Sequence, residues 1–547
     1  VGDHLASLFV YPLAPWLVPL PDAETMRAID RWAIEERGVA GLDLMERAGA
    51  GVARAVERLA PDGPVTVVCG KGNNGGDGLV AARLLREARR SVTVVCVAPP
   101  QEFAGDARAN LERLPGDQPV QLGSADPFAA HAIIVDAVLG TGFQGQPRGP
   151  AADALDAINT AGAAGAAVVS VDVPSGVDAS TGVVSGAAVR ASVTVTFHAA
   201  KPGLWIAPGK TCAGTVETID IGIPRGAPGG ASVGLIAASV LEQLPSRQAS
   251  STKFSSGHVL VAGGSRGLTG APRMAAESSM RTGAGYVTAC VPASLQGILA
   301  GAGTPELMTR GLPDDDGALT AEGVGEVLEA SARGGALALG PGLGRRDGAA
   351  AFARALAREA GVAMVLDADG LNAHAGRLTE LASRDAPTVL TPHAGELGRL
   401  LELDSSEIER ERLRYVRAAA AQASAVVVLK GDDTLIAAAD GKVAVSPGGS
   451  PALATAGTGD VLTGVIAALL AQGLDAFTAA AAGVWLHAEA GREAARRLGA
   501  AEGVIASDVI AALPHARGRA RRGRERGSRA ARIRAGGGRP SEVRGDA

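Results

Sequence analysis

The sequence predicts an α/β protein built as two large domains, and three observations carry that expectation. Its 547 residues exceed what one ordinary core organises, since domains run to roughly 100–200 residues. β-branched runs alternate with segments of helical apolar spacing along most of the chain. Nearly every such run ends in a polar or glycine signature, the mark of a parallel, doubly wound sheet whose strand ends line a cleft. The hydrophobic fraction is 47%, and with only 4 Trp, 3 Tyr and 8 Phe the cores must close with aliphatic side chains.

Taken in order, the stretch 8–20 is apolar but short and is interrupted by Pro12, Pro15 and Pro19. It reads as neither a signal peptide nor a membrane span, so residues 1–19 are set apart as an extension and the cytoplasm is the expected compartment. Segments 23–37 and 42–59 have helical spacing, and 64–69 is a β-branched strand that runs into a glycine-rich loop, 70–78, before a helix at 79–88. Strands follow at 91–97, 132–138, 167–173, 192–197 and 214–219. The Pro/Gly-rich stretch 224–234 places a domain boundary near 230. Beyond it come strands at 257–262, 286–291, 335–339, 363–366, 388–390 and 425–429, with helices at 271–282 and 461–472. This gives domains at 20–229 and 230–514.

The net charge of −5 is uneven. Residues 515–547 hold eleven Arg against three acids, leaving an acidic body that does not look like a nucleic-acid binder. That tail has no apolar period and is expected to be a solvated, disordered extension; an arm for polyanions is the other reading. Cys69, Cys96, Cys212 and Cys290 stand far apart without metal-ligand spacing and read as buried free thiols.

Chemistry concentrates at strand ends. Gly70–Gly78, Gly-Lys-Gly-Asn-Asn-Gly-Gly-Asp-Gly, clears side chains so that Asn73, Asn74, Asp77 and peptide groups can converge on a ligand; a tight turn is the bland reading. Two further ends, Asp136–Gly142 and Val171–Asp178, strengthen the functional one. These motifs resemble the NAD(P)H-hydrate epimerase domain, also called the YjeF N-terminal domain, over about residues 20–225, and imply a Rossmann-like sheet. By that resemblance Asn74, Asp136 and Ser175 correspond to potassium ligands. Asn73, Asn74, Gly75, Gly76, Asp77, Gly140, Thr141, Gly142, Phe143, Gln144, Gly145, Gln146 and Asp172 correspond to the hydrated-dinucleotide pocket. Asp172 is the acid/base candidate. Lys201 either joins it or anchors a surface turn.

The second set is Ala456–Asp460, Ala-Gly-Thr-Gly-Asp, before an apolar helix whose N-terminus suits an anion. Asp460 is a helix cap on the bland reading and a base beside phosphate on the functional one. Lys430–Thr434 reads alone as a hairpin turn. His393 stands beside a helix start, whereas His258, His374 and His487 read as structural or exposed. Gly340–Gly344 and Asp367–Gly370 complete the set, without zinc spacing. With Lys253–Ser265, these residues resemble the NAD(P)H-hydrate dehydratase domain of the ribokinase-like group, over about 235–513. The resemblance implies that Ala271, Gly342, Gly344, His393 and Asp460 line the substrate site. It also implies that Lys430, Gly431, Asp432, Asp433, Thr434 and Gly459 hold the adenine nucleotide, with ADP as phosphoryl donor and magnesium as counter-charge.

Together the two resemblances imply a bifunctional repair enzyme for hydrated NADH and NADPH, acting on small molecules without nucleic-acid or membrane partners and self-associating as a homo-oligomer. Two rivals stand beside it. One is a small-molecule kinase acting on a vitamin precursor; the other treats the first domain as a nucleotide- or RNA-binding module without turnover.

Overall fold

Seven β-branched segments of the first half pair side by side, all parallel, in the order Val120–Gln121, Val92–Cys96, Val65–Cys69, Ile133–Ala137, Ala167–Val171, Val193–Phe197 and Thr215–Ile219. The computed structural model that shows this describes residues 13–123, 133–302 and 304–519. The chain winds outward from Val65–Cys69 in one direction and then, from Ile133–Ala137, in the other. This is the doubly wound order, with its switch point between those two strands. Helices cover both faces of the sheet. Val52, Val56, Leu79 and Leu85 from the helices Gly41–Leu59 and Asn73–Glu87 pack with Val65 and Val67 in a core of aliphatic side chains.

The second alternation gives another mainly parallel sheet. Its order is Val426–Leu429, Thr388–Leu390, Ala363–Leu366, Ala336–Leu339, His258–Ala262, Tyr286–Pro292 and Met308–Leu312. Its switch point falls between His258–Ala262 and Ala336–Leu339. Leu435–Ala437 returns antiparallel beside Val426–Leu429.

Several expectations are corrected. Residues 13–235 form one unit together with 406–415 and 442–445, and the rest of the described chain forms the other. The division falls at 235, beside the expected boundary near 230, and it is not linear, because Val443–Val445 pairs in parallel with Val233–Ile236. In the extension, Trp16 and Leu17 are buried and Leu17–Pro19 is a strand beside Val233–Ile236; residues 1–12 lie outside the described chain. The tail expectation fails for 515–519, which continue the helix 506–519. Arg517 anchors that end by donating to the carbonyls of Thr282 and Pro245, so its stem is buried while its donors are satisfied. Residues 520–547 lie outside the described chain. All four cysteines are free and buried, and no helix among the described residues is long and apolar enough to cross a membrane.

The first glycine loop is also shorter than expected, because the helix begins at Asn73 rather than at 79. Gly75, Gly76 and Gly78 have ordinary helical backbones and serve close approach. A Cβ on Gly75 would run into the Gly70 carbonyl, on Gly76 into the Met45 sulfur, and on Gly78 into Ala137. The same device joins two helices of the second unit, where Gly464 of Thr458–Ala471 lies against the main chain of Ala275 and the hydroxyl of Ser278 in Gly270–Thr282. Gly464→Ala should destabilise the second unit by about 1–3 kcal/mol through overpacking, read as a lower midpoint in urea unfolding.

Candidate active sites

At the first switch point, the residues that follow Val65–Cys69 and Ile133–Ala137 face one another. Gly70 is forced, since the Val138 carbonyl occupies the place of a Cβ. A cavity of about 740 Å3 opens there. It is lined by Asn73, Asn74 and Asp77 at the start of their helix, by Gly140, Thr141, Gly142 and Phe143, and by Asp172 and Lys201. Gly75 and Gly76 pack beneath and do not line it, and Gln144, Gly145 and Gln146 are exposed outside its lining.

Asp172 is the electrostatic centre of this cavity. Its φ of 65° lies in the left-handed region that a Cβ opposes, and a 2.7 Å hydrogen bond from its amide to the Val195 carbonyl holds it there. Lys201 Nζ donates to Asp172 Oδ1 at 2.5 Å, to Thr196 Oγ1 at 2.9 Å and to the Phe197 carbonyl at 3.1 Å. With its side chain only 1% exposed, Lys201 anchors no surface turn. Thr141 and Thr196 also donate to the carboxylate. Burial pushes the Asp172 pKa up, but the Lys201 charge and these hydrogen bonds outweigh it and leave the group below the ordinary carboxylate range. Asp77 behaves oppositely. Burial, then the charges of Asp172 and Asp30, push it well above its ordinary value against the pull of Lys201. Burial also raises Asp30, a lining residue that sequence reasoning missed. The available signal was an acid beside the buried stripe Met26, Ile29 and Ala33 of its helix.

Behind the cavity wall, Asp136 is fully buried and accepts from Ser170 Oγ at 2.8 Å, Ser175 N at 2.9 Å and Ser175 Oγ at 2.5 Å. Burial still raises its pKa, and no cationic side chain is among the groups acting on it. Asn74 Nδ2 donates to the Leu139 carbonyl at 3.0 Å, and the Leu139 amide donates to Ser175 Oγ at 2.8 Å. Asn74, Asp136 and Ser175 are thus brought together, an oxygen-rich set with an uncompensated carboxylate.

In the second unit three strand ends converge on Lys430. Its Nζ stands 3.0 Å from Asp367 Oδ1 and 3.6 Å from Glu396 Oε2, and Thr463 Oγ1 donates to Asp367 Oδ2 at 2.7 Å. Burial would lower the lysine pKa, but the Asp367 and Glu396 charges outweigh it and raise it, so the ammonium persists. Asp460 sits in the first turn of Thr458–Ala471, which begins three residues earlier than expected, after Gly457 at φ 88°. Burial raises its pKa to about 7, helped by the charges of Asp367, Glu396 and Asp369 and opposed by Lys430. A Cβ on Gly459 would stand in ordinary contact with Lys430 Nζ, at 3.7 Å, so this helix N-terminus lies beside the ammonium.

A cavity of about 570 Å3 is lined by Lys430, Gly431, Asp432, Thr434 and Gly459. Asp433, although buried, does not line it. The segment is a hairpin turn as well, because Thr434 Oγ1 donates to the Gly431 carbonyl at 2.6 Å and Leu429 pairs with Leu435 across it. Ala271, Gly342, Gly344, His393 and Asp460 lie outside this lining. Gly342 and Gly344, at φ 64° and 80°, stand at the second switch point, and the Gly344 amide donates to Asp369 Oδ2 at 3.0 Å. His393 caps the helix Ala394–Leu401. Its Nδ1 accepts from the amides of Gly395 at 3.0 Å and Glu396 at 3.3 Å, while Glu396 Oε2 accepts from the His393 amide at 2.9 Å. Asp367 stood in an expected strand-end motif without an assigned role, whereas Glu396 and Thr463 were not among the expected site residues. His258 and His374 are structural, bonded to Thr288 Oγ1 and the Gly370 carbonyl respectively.

Residues 41–203 match the family model described as YjeF-related protein N-terminus, and 259–515 match that described as NAD(P)H-hydrate dehydratase. A bifunctional NAD(P)H-hydrate repair enzyme of Moorella thermoacetica is 42% identical over 514 residues, covering 91% of this chain and 96% of that protein. The one from Escherichia coli is 33% identical over 498 residues, covering 90% and 92%. Among solved structures, an ADP/ATP-dependent NAD(P)H-hydrate dehydratase from Bacillus subtilis, co-crystallised with ATP and Mg2+, has a TM-score of 0.45. It is 30% identical and covers 51% of this chain and 96% of its own. The architecture is a Rossmann-like domain followed by a ribokinase-like α/β domain.

A carboxyl whose folded pKa is raised leaves the folded state progressively less stable as pH climbs from its unfolded value to its folded one. For Asp460 that window runs from about 4 to about 7. Asp460→Asn should therefore raise the thermal midpoint, by a margin that grows between pH 4 and pH 7 and then levels off in melts run across that range.

Proposed function

The chain belongs to the bifunctional NAD(P)H-hydrate repair enzymes, and from that membership we propose how its residues divide the work. The protein interconverts the two C6 epimers of hydrated NADH and NADPH and dehydrates one epimer back to the reduced dinucleotide. We assign the first activity to the first unit and the second to the second. The observation that supports this division is a carboxylate held beside a buried lysine at the strand ends of each unit.

In the first unit Asp172, held below the ordinary carboxylate range, accepts the proton and Asp77, pushed well above it, supplies one; two carboxyls whose environments push their pKa values apart form an acid/base pair. Asn73, Asn74, Asp77 and Gly140–Phe143 hold the dinucleotide, while Gln144–Gln146 keep that role by resemblance only. Asn74, Asp136 and Ser175 fit a potassium ion, because Asp136 is a buried carboxylate with no cationic side chain bonded to it among the described residues. A potassium ion bound there supplies the missing positive charge.

In the second unit ADP lies with its phosphates against Gly459, Lys430 and the helix N-terminus, along the turn Lys430, Gly431, Asp432, Asp433 and Thr434. The S hydrate meets it at Asp460, between Ala271, Gly342, Gly344 and His393. Asp460, poised near neutrality, takes the C6 hydroxyl proton as that oxygen attacks the β-phosphorus and the bond to AMP breaks. The phosphorylated oxygen then leaves C6 as phosphate, with the ring-nitrogen lone pair forming the new C–N double bond, and loss of a C5 proton restores NAD(P)H. Among the described residues no three metal-binding side chains are grouped as a cage, which suits a magnesium ion held mainly by the substrate phosphates. That ion supplies charge neutralisation at the transferring group.

Hydrated NADH mixed with the protein and ADP should regain reduced-nicotinamide absorbance with release of AMP and phosphate; accumulation of a stable phosphorylated alcohol would refute the assignment. Asp460→Ala should slow that recovery about 10²–10⁴-fold while epimer exchange continues, and Asp172→Ala should do the reverse. Lys201→Met removes the cation that holds Asp172 down. The acid limb of the epimerisation pH profile should therefore move to higher pH.

A further inference from the structure

The cavity beside Lys430 has two unlike ends. Its polar end carries Lys430, Thr434 and the open turn at Gly459, whereas its other wall is built from Leu453, Ala454, Leu462, Val484 and Ala488. Val484, His487 and Ala488 project from one face of the helix Ala476–Leu498, so the histidine ring is set into the apolar wall. His487 is 8% exposed, and its Nε2 has no hydrogen-bond partner among the described residues. The Thr458 main chain favours the protonated ring, as a carbonyl beside a ring N–H does, and with Nε2 unpartnered the proton is assigned to Nδ1. Burial lowers the ring pKa to about 4, so the imidazole is neutral and its Nε2 carries a lone pair. A buried acceptor left without a donor is a standing cost that a bound molecule relieves.

We propose that His487 reads the nucleoside half of the adenine nucleotide, its Nε2 accepting a hydrogen bond from the 6-amino group of the base or from a ribose hydroxyl. The inference rests on the reading that this cavity holds ADP. An apolar wall covers the flat faces of a purine, and a neutral ring with no free N–H offers nothing to a phosphate, so the polyphosphate keeps to the Lys430 end. A 6-oxo purine would point a second lone pair at Nε2, and each deoxy sugar would lack one of the two hydroxyl donors.

The test is calorimetric titration of the full chain with ADP, IDP, 2′-deoxyADP and 3′-deoxyADP, on the unsubstituted protein and on His487→Leu and His487→Gln. The unsubstituted protein should bind ADP about tenfold more tightly than IDP if the base is read, or than one deoxy analogue if the sugar is read. His487→Leu should abolish that one difference, and His487→Gln, which keeps an acceptor oxygen, should retain part of it. Should a melting curve show that His487→Leu is unfolded, His487→Phe preserves the ring shape and takes its place. Equal affinity for all four nucleotides, or a preference that survives the apolar substitution, would overturn the role of His487. Failure of the unsubstituted protein to bind ADP at all would instead overturn the nucleotide reading.

Discussion

Each unit gathers several carboxylates at the buried ends of parallel strands, where like charges without water repel strongly, and each rests its site on one lysine. Lys201 serves Asp172, and Lys430 serves Asp367 and Glu396. Taking such groups out of water is costly unless the geometry and hydrogen bonds are good, and both ammoniums have several oxygen partners. One cation cannot hold down every acid near it, and the surplus decides the chemistry. In the first unit Asp172 takes the lysine and falls, leaving Asp77 high. In the second, Lys430 stands between two nearer acids, and Asp460 rises to about 7. Acid/base capacity thus follows from an uneven sharing of charge.

Much of this was legible in the sequence. Ala363–Leu366 and Thr388–Leu390 are strands over the expected residues, because a short buried β-branched run between polar signals has few alternatives. The cavity-lining residues Asn73, Gly140 and Asp172 were legible because each closely follows the end of a strand. What escaped was long-range or aperiodic. Lys430 and Asp367 are 63 positions apart, and nothing local announces their pairing. Asp30 lies in an ordinary amphipathic helix, and Val443–Val445 is too short for any period to show that it joins the first unit. Glycines in a helix looked like a loop because close approach leaves no trace in a propensity.

Structural and functional readings of one residue also proved compatible. The segment Lys430–Thr434 is both a hairpin turn and a cavity wall. His393 caps a helix, and the carboxylate of Glu396 completes that cap while facing Lys430. Helix starts and hairpins expose unsatisfied main-chain groups, which a ligand can also use.

The packed glycines under Asn73, Asn74 and Asp77 have a further effect. Because main-chain and side-chain atoms fill the space where Cβ atoms would sit on Gly75, Gly76 and Gly78, the first two turns of that helix can neither slide nor roll without collision. A ligand entering this cavity therefore meets walls assembled before it arrives, and little affinity is lost to ordering the protein.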